Sequence, residues 1–183
     1  MTTAIPPDPF AHPASALALE VFRLNGALIA LGDALVAPLG LTSARWQVLG
    51  AVAAAPDGLP TADIARNMGL ARQSVQRVVD DLAAAGFLAF APNPRHKRAK
   101  LVRLTGAGAA AFETASALWA PIADAVADRA GSAGITATTA LLRQIREILN
   151  DVHPARRRAG EIPKDLPNDE PNDLPNDLPR DPP

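Results

Sequence analysis

Apolar positions recur at helical spacing through residues 15–153 and predict a mainly helical fold. The first such stretch begins at Ser15 or Ala16 and extends to about Ala37. Its apolar side chains follow one another at alternating steps of four and three residues: Leu17, Val21, Leu24, Leu28, Leu31 and Leu35. This heptad seam suits packing against another helix, in the same subunit or in a second one, and the pattern alone does not distinguish the two.

A second helix is predicted over residues 41–55, with Thr42 or Ser43 as its N-cap. Trp46 falls on the inward face of this helix. A tryptophan in this place anchors a core, although a cleft between domains could also use it to bind a small molecule. The Pro-Asp-Gly sequence at 56–58 then predicts a turn.

Two shorter helices follow, with a glycine between them. The first begins near Thr61, whose hydroxyl can cap the exposed backbone N–H groups, and ends at Gly69. The second covers about 71–85 and stops at Gly86. Its apolar residues have three- and four-residue spacing and therefore face a core: Val75, Val78, Val79 and Leu82.

Two short apolar strands, 87–90 and 101–104, enclose a loop that contains the turn-forming pair Asn93 and Pro94. Helix, turn, helix, strand, basic loop and strand is the order of a winged helix-turn-helix, a module that reads duplex DNA. The predicted fold class is therefore mainly α with a small β-hairpin wing. It comprises a winged helix-turn-helix over about 41–105 and a helical dimerisation domain built from the flanking helices.

Positive charge is concentrated in this module. Residues 59–105 contain eight lysines and arginines against three aspartates, a balance of +5, whereas the whole chain carries −1. Such segregation is typical of phosphate binding. The outer face of the second helix carries residue types that match base edges or phosphates: Arg72, Gln73, Ser74, Gln76 and Arg77. The basic loop adds four candidates: Arg95, His96, Lys97 and Arg98. An ordinary amphipathic helix and a solvated hairpin tip would have the same polar composition.

Two more apolar helices are predicted after the wing. Thr105 can cap the first of them, Pro121 should kink or divide it, residues 131–134 interrupt the chain, and a last helix covers 136–152. Together with the helix at 15–37, they present more apolar surface than one small domain can cover, so we expect a homodimer. The candidate interface positions are apolar residues of the first and last helices: Leu17, Val21, Leu24, Leu28, Leu142, Ile145 and Leu149.

The stretch from LTSARWQVLGAV, which begins at Leu41, to KLVRLTGAG, at the end of the wing, is similar to the MarR family of bacterial transcriptional regulators. With the flanking helices, the resemblance covers about 15–153. It implies a homodimer that binds a palindromic operator on double-stranded DNA and is released, in some members, by a small-molecule effector. It also implies that Arg77 is the recognition-helix arginine, and that Lys97 and Arg98 are the wing residues that reach the minor groove.

The sequence departs from the family pattern at three positions. His96 stands where the family usually has aspartate, and Lys97 stands where it usually has arginine. Because lysine lacks the planar fork of arginine, the wing could bind more weakly or depend more on Arg95 and Arg98. Ala71 replaces the usual serine before the second helix and is a poor N-cap, which costs about 1 kcal/mol.

Composition argues against several other classes of protein. The chain has no cysteine and three histidines, and its sequence contains no recognisable catalytic triad, metal-ligand cluster or phosphate-binding loop. We therefore expect no enzyme activity, cofactor or metal. No apolar run reaches ~18–20 residues without a charge, so we expect a cytoplasmic protein without a membrane span. The predicted function is a ligand-responsive, DNA-binding repressor, and the alternative is a winged-helix module that contacts proteins without reading DNA.

The two ends of the chain differ from the rest. Residues 1–14 are rich in proline and predict a flexible arm, which could cross to a second subunit. Residues 154–183 repeat a Pro-Asn-Asp-Leu unit, and this composition predicts a disordered tail. The tail is either an extension without a function or a weak competitor of DNA for the basic face.

Overall fold

Helices dominate the structure, which is a computed structural model that describes residues 12–96 and 98–152. The chain divides into two units, Met1–Arg129 and Ala130–Pro183. The elements in chain order are α1 (Pro13–Val36), a 3₁₀ turn (Ala37–Leu39), α2 (Ser43–Ala53), β1 (Leu59–Pro60), α3 (Thr61–Met68), α4 (Arg72–Ala84), β2 (Leu88–Ala91), β3 (Leu101–Leu104), α5 (Gly106–Ala130) and α6 (Ser132–Val152). This order confirms the predicted fold class. Most of the predicted arm, Lys97 of the wing and the predicted tail at 154–183 lie outside the described residues.

One apolar core joins α2, α3, α4 and the sheet. Of the residues that α4 was predicted to turn inward, Val75, Val79 and Leu82 are almost inaccessible to solvent, and Val78 is partly buried against the same core. Leu49 from α2 and Ile64 from α3 are equally buried against them. Because α4 must present this stripe to the core, its opposite face is fixed in the outward direction.

The wing is part of a three-stranded antiparallel sheet with the strand order β1-β3-β2. The two predicted strands pair as expected, with Leu88 opposite Leu104. The hairpin prediction omitted β1, whose Leu59 pairs with Val102. A strand of two residues that includes a proline has neither the length nor the alternation that sequence patterns detect.

A close contact between α1 and the N-terminus of α2 fixes the entry to the winged helix-turn-helix. The Ser43 backbone N–H donates to Asp33 Oδ1 at 2.6 Å, and the Arg45 N–H donates to the predicted cap Thr42 at 3.3 Å. Gly32 permits this approach, because a Cβ at that position would lie 2.9 Å from Ser43 Oγ. The start of α2 is therefore held by a carboxylate from α1 as well as by its own cap.

We expect Asp33→Ala to lower the free energy of unfolding by about 1.5 kcal/mol, because it leaves the N–H of the buried Ser43 without an acceptor. Asp33→Asn keeps an acceptor oxygen and should lose much less. Urea denaturation of both variants measures the difference at equal protein concentration. Equal losses for alanine and asparagine would show that the hydrogen bond is not what stabilises this contact.

The start of α5 is joined to the C-terminal end of α4 and the start of β2. The Thr105 backbone N–H donates to the Phe87 carbonyl at 3.1 Å, and Thr105 Oγ1 accepts from the Gly108 N–H at 3.0 Å, so Thr105 caps α5 as predicted. Phe87 in turn donates to the carbonyl of Leu82 at 2.9 Å. A Cβ at Gly108 would overlap the Phe87 carbonyl oxygen, so the helix can pack here only with glycine.

Several predicted helix ends are wrong in detail. His12 caps α1 through Nδ1, which accepts from the Ala14 N–H at 3.1 Å, so the helix begins at Pro13, two or three residues earlier than expected. Thr61 is the first residue of α3 and forms no side-chain cap; Pro60 occupies that position. The interruption after α5 is confined to Gly131 (φ 79°), and α6 begins at Ser132 rather than at residue 136.

Pro121 does not divide α5, which is one continuous helix from Gly106 to Ala130. Proline cannot donate to the carbonyl four residues earlier, that of Ala117. Ala117 is exposed, so water can satisfy this oxygen. The cost of proline is therefore smaller at this position than in a buried helix.

The segment Pro13–Leu39 is long and apolar enough to cross a membrane, judged by length and composition alone. It contains three charged residues that the fold uses: Glu20 and Arg23 pair at 2.6 Å, and Asp33 holds α2. The uncharged run between Arg23 and Asp33 is much shorter than the ~20 residues that a spanning helix needs. An apolar helix of this kind is also what a soluble subunit interface requires.

Candidate nucleic-acid interface

The outer face of α4 presents the residues that the sequence predicted for base contacts. The side chains of Arg72, Gln73, Ser74 and Arg77 are exposed, and Gln76 is half-buried. Ala71 is the N-cap residue and forms no side-chain hydrogen bond, as its apolar side chain requires. The backbone N–H groups at the start of α4 thus have no cap from this residue and can donate to a phosphate.

The turn between α3 and α4 sets the angle at which α4 is presented. Gly69 has φ 67°, a left-handed conformation that glycine adopts without strain. Its N–H and that of Leu70 donate to the carbonyls of Arg66 and Ala65, at 3.2 Å and 3.0 Å, which closes α3 in the manner predicted for this glycine.

The wing tip is formed by short-range hydrogen bonds that leave its cations in solvent. Asn93 Oδ1 accepts from the Arg95 N–H at 2.9 Å, and the Asn93 carbonyl accepts from the His96 N–H at 3.2 Å. Arg95, His96 and Arg98 are exposed. Three of the four predicted wing residues are therefore on the described surface, and the fourth, Lys97, lies outside the described residues.

Two open clefts bring α4 and the wing together. One has a volume of about 370 Å³ and is lined on the α4 side by Arg72, Gln76 and Asp80, and on the wing side by Arg98 and Lys100. The other has a volume of about 740 Å³, lies between the wing and α3, and is lined by Arg66, Arg72, Arg95, His96 and Arg98. Arg72 and Arg98 line both clefts, so Arg72 and Gln76 of α4 are continuous with the wing, and Gln73 and Arg77 line an adjoining depression with them.

Some of the positive charges in the module have structural partners. Arg66 pairs with Asp63 at 2.8 Å, Arg45 pairs with Asp81 at 3.5 Å, and Arg103 Nε donates to the Asp57 carbonyl at 3.1 Å. Within residues 12–96 and 98–152, no ion pair involves the four arginines of the clefts and α4: Arg72, Arg77, Arg95 and Arg98. These four arginines are therefore available to an external anion.

Three residues that were not among the predicted site residues also lie on this surface: Lys100, Phe90 and Asp80. Lys100 Nζ lies 5.8 Å from the centre of the Phe90 ring, a cation–π contact at the base of the wing. Asp80 Oδ1 accepts a hydrogen bond from Gln76 Nε2 at 2.9 Å. The four-residue spacing of Gln76 and Asp80 on a predicted helix would have indicated this pair. The contact of Phe90 with Lys100 depends on the register of β2 and β3, which the sequence alone does not give.

Residues 12–96 and 98–152 contain no group of three or more histidine, cysteine or carboxylate side chains that could hold a metal ion. His12 caps α1 and His96 lies on the wing, while His153 lies outside the described residues.

The candidate dimer residues lie on surfaces of their own units. In α1, Val21, Leu24 and Leu28 are exposed and Leu17 is half-buried. In α6, which belongs to the second unit, the three candidates are half-buried or exposed: Leu142, Ile145 and Leu149. Leu24 is 55% exposed and Leu149 is 60% exposed, so neither apolar seam is completely covered within the described residues of its own unit.

Trp46 packs on the core and meets a second tryptophan. Its ring centroid lies 6.2 Å from that of Trp119 in α5, with an interplanar angle of 63°. Both rings are half-buried. Edge-to-face contact of this kind is a packing interaction, as the core interpretation of Trp46 expects.

Comparison with known proteins identifies the family. The family model described as "MarR family" matches residues 39–99, which contain α2, α3, α4 and β2. An uncharacterized protein of Mycobacterium tuberculosis is 33% identical over 138 residues, which are 75% of this chain and 95% of the relative.

Solved structures have the same fold. A mutant MarR of E. coli complexed with operator DNA gives a TM-score of 0.65 at 23% identity and covers 75% of this chain and 98% of that protein. The PcaV transcriptional regulator of Streptomyces coelicolor, solved with its natural ligand, gives 0.64 at 25% identity and covers 80% and 98%. The family consists of transcription regulators and not of enzymes, which confirms the prediction of a non-enzymatic protein. The chain therefore belongs to the MarR family of DNA-binding, winged-helix transcription regulators.

Proposed function

We propose that this protein is a ligand-responsive repressor that binds a palindromic operator as a homodimer in the cytoplasm. The observation that carries this proposal is the surface formed by α4 and the wing, which carries four arginines without ion-pair partners in the described residues, together with the exposed Gln73 and the half-buried Gln76. Cations that lack protein partners gain most from phosphate, and glutamine and arginine are suited to base edges in the major groove.

The roles of the individual residues follow from their positions. Gln73, Gln76 and Arg77 read bases, because they lie in the first two turns of α4, where Gln73 and Arg77 are exposed and Gln76 is half-buried. Arg72 contacts a phosphate at the helix N-terminus. The wing residues Arg95, Lys97 and Arg98 contact phosphates or enter the minor groove, with His96 beside them.

The homodimer rests on the exposed apolar seams. Large apolar side chains on α1 and α6, among them Leu28 and Leu149, would remain in water in a monomer. A second copy of the chain can cover such surfaces, since a two-fold axis places each apolar seam against its counterpart in the other subunit. Two α4 helices in one dimer then enter successive major grooves about 10 base pairs apart, which is why the operator would be palindromic.

Regulation by a small molecule requires two arrangements of the two winged helix-turn-helix modules in the dimer. A ligand that prefers the arrangement with the wrong spacing weakens DNA binding by its differential affinity for the two states. The similar regulator PcaV was solved in complex with its natural ligand, which supports the presence of a ligand-binding site in this protein. Repression then follows if the operator overlaps a promoter.

Selection of bound duplexes from a random pool, followed by titration at several salt concentrations, tests the proposal. A palindromic consensus and a linear loss of log affinity with log salt concentration are expected. If selection yields no consensus and the protein binds only other proteins, the alternative holds, a winged-helix module that does not read DNA. Sedimentation of the full chain gives the subunit count, and a monomer would contradict the dimer.

A further inference from the structure

An acidic side chain lies on the surface that we assign to DNA. Asp80 is exposed and lines the cleft between α4 and the wing together with Arg72, Gln76 and Arg98. A carboxylate in this position repels phosphate and lowers the affinity for any duplex. Its presence needs a reason other than the affinity of the surface for phosphate.

The hydrogen bond to Gln76 gives that reason. Asp80 Oδ1 lies 2.9 Å from Gln76 Nε2. An ionised carboxylate can only accept hydrogen bonds, so it selects the amide orientation in which Nε2, and not Oε1, points towards Asp80. The side chain of Gln76 is thereby fixed in one of two orientations that would otherwise differ little in energy.

We propose that Asp80 is a positioning residue for base recognition: it orients the Gln76 amide so that its second N–H and its Oε1 meet the acceptor N7 and the donor N6 of one adenine. This inference rests on the function proposed above. Adenine is the base whose major-groove edge offers that acceptor and donor side by side. The reversed amide would exchange donor and acceptor relative to the helix and mismatch the same adenine.

A purely structural role for the pair makes a different prediction. A Gln–Asp pair four residues apart stabilises a helix slightly, irrespective of DNA sequence. Removal of Asp80 would then change the affinity for all duplexes alike. Base-specific loss that depends on Gln76 distinguishes orientation of the amide from helix stabilisation.

The test is selection from a random double-stranded DNA pool with four full-length proteins: wild type, Gln76→Ala, Asp80→Asn and the double variant. Asparagine has the shape of aspartate but offers both a donor and an acceptor, so either orientation of the Gln76 amide is satisfied. We expect Gln76→Ala to lose preference at one base pair in each half-site. Asp80→Asn should reduce preference at that same base pair about tenfold, while affinity for unselected duplex rises. The double variant should match Gln76→Ala in its base preferences.

Asp81→Asn is the matched control, because it removes the same charge from the adjacent position of α4, where the carboxylate contacts Arg45. It should keep every base preference of the wild type. Three results would overturn the inference while the proposed function stands. Asp80→Asn could keep the wild-type base preference, or Asp81→Asn could lose the same preference. The third is a double variant that loses more base preference than Gln76→Ala alone. A wild-type protein that selects no duplex at all would overturn both.

Discussion

Gly108→Ala is expected to lower the free energy of unfolding by about 3 kcal/mol. The added Cβ would overlap the carbonyl oxygen of Phe87, which is backbone and already accepts from the Thr105 N–H. A backbone atom cannot rotate out of the way as a long side chain does, so α5 or the start of β2 must move. Denaturant unfolding measures the loss as a lower midpoint with an unchanged slope, at a fixed protein concentration.

Gly106→Ala is the control in the same helical turn. No atom outside its immediate neighbours lies within 4 Å of a Cβ built at Gly106, so alanine should be neutral or should raise stability by up to about 1 kcal/mol through its helix propensity. If the two alanine variants unfold at the same midpoint, the close approach at Gly108 is not a determinant of stability. The contrast tests the packing of α5 without any assumption about DNA.

Replacing Arg77 with alanine should weaken binding to the selected operator by about 1–3 kcal/mol, provided that it makes a bidentate contact to guanine. Arg77 is exposed on α4 and has no ion pair within the described residues, so the loss would come from DNA and not from the fold. Its effect on a duplex of unrelated sequence should be much smaller. Fluorescence anisotropy with both duplexes measures the ratio of the two affinities, and unchanged operator affinity would remove Arg77 from the site.

Arg98→Ala provides the comparison for a phosphate contact. Arg98 lines both clefts on the wing side. Its loss should weaken binding to the operator and to an unrelated duplex alike. In a dimer that loses two such contacts, the slope of log affinity against log salt concentration should be shallower by about two. A loss confined to one operator base pair would assign base reading, and not phosphate binding, to Arg98.

Hydrophobic spacing predicted the parts of the fold that depend on a long helical repeat. The stripe of Val75, Val79 and Leu82 fixes which face of α4 is inward, and the outward face follows without further information. Gly69 was predictable for a similar reason, because a helix end that needs a left-handed residue favours glycine.

Contacts between distant segments were not predictable in this way. β1 is two residues long and exists because Leu59 reaches β3, which lies more than forty residues later. The Phe90–Lys100 contact depends on the register of β2 and β3, and the contact of Gly108 with Phe87 depends on where α5 starts. The Gln76–Asp80 pair, in contrast, was predictable from the sequence, since side chains four residues apart on a helix are neighbours.

The two tryptophans of the chain touch each other, and the sequence contains no tyrosine. Tryptophan emission from the protein therefore comes from a single place, where Trp46 of α2 meets Trp119 of α5. Any rearrangement that separates α2 from α5 changes the surroundings of both tryptophan rings at once. The protein thus carries its own optical reporter of that movement, and no label is needed to follow it.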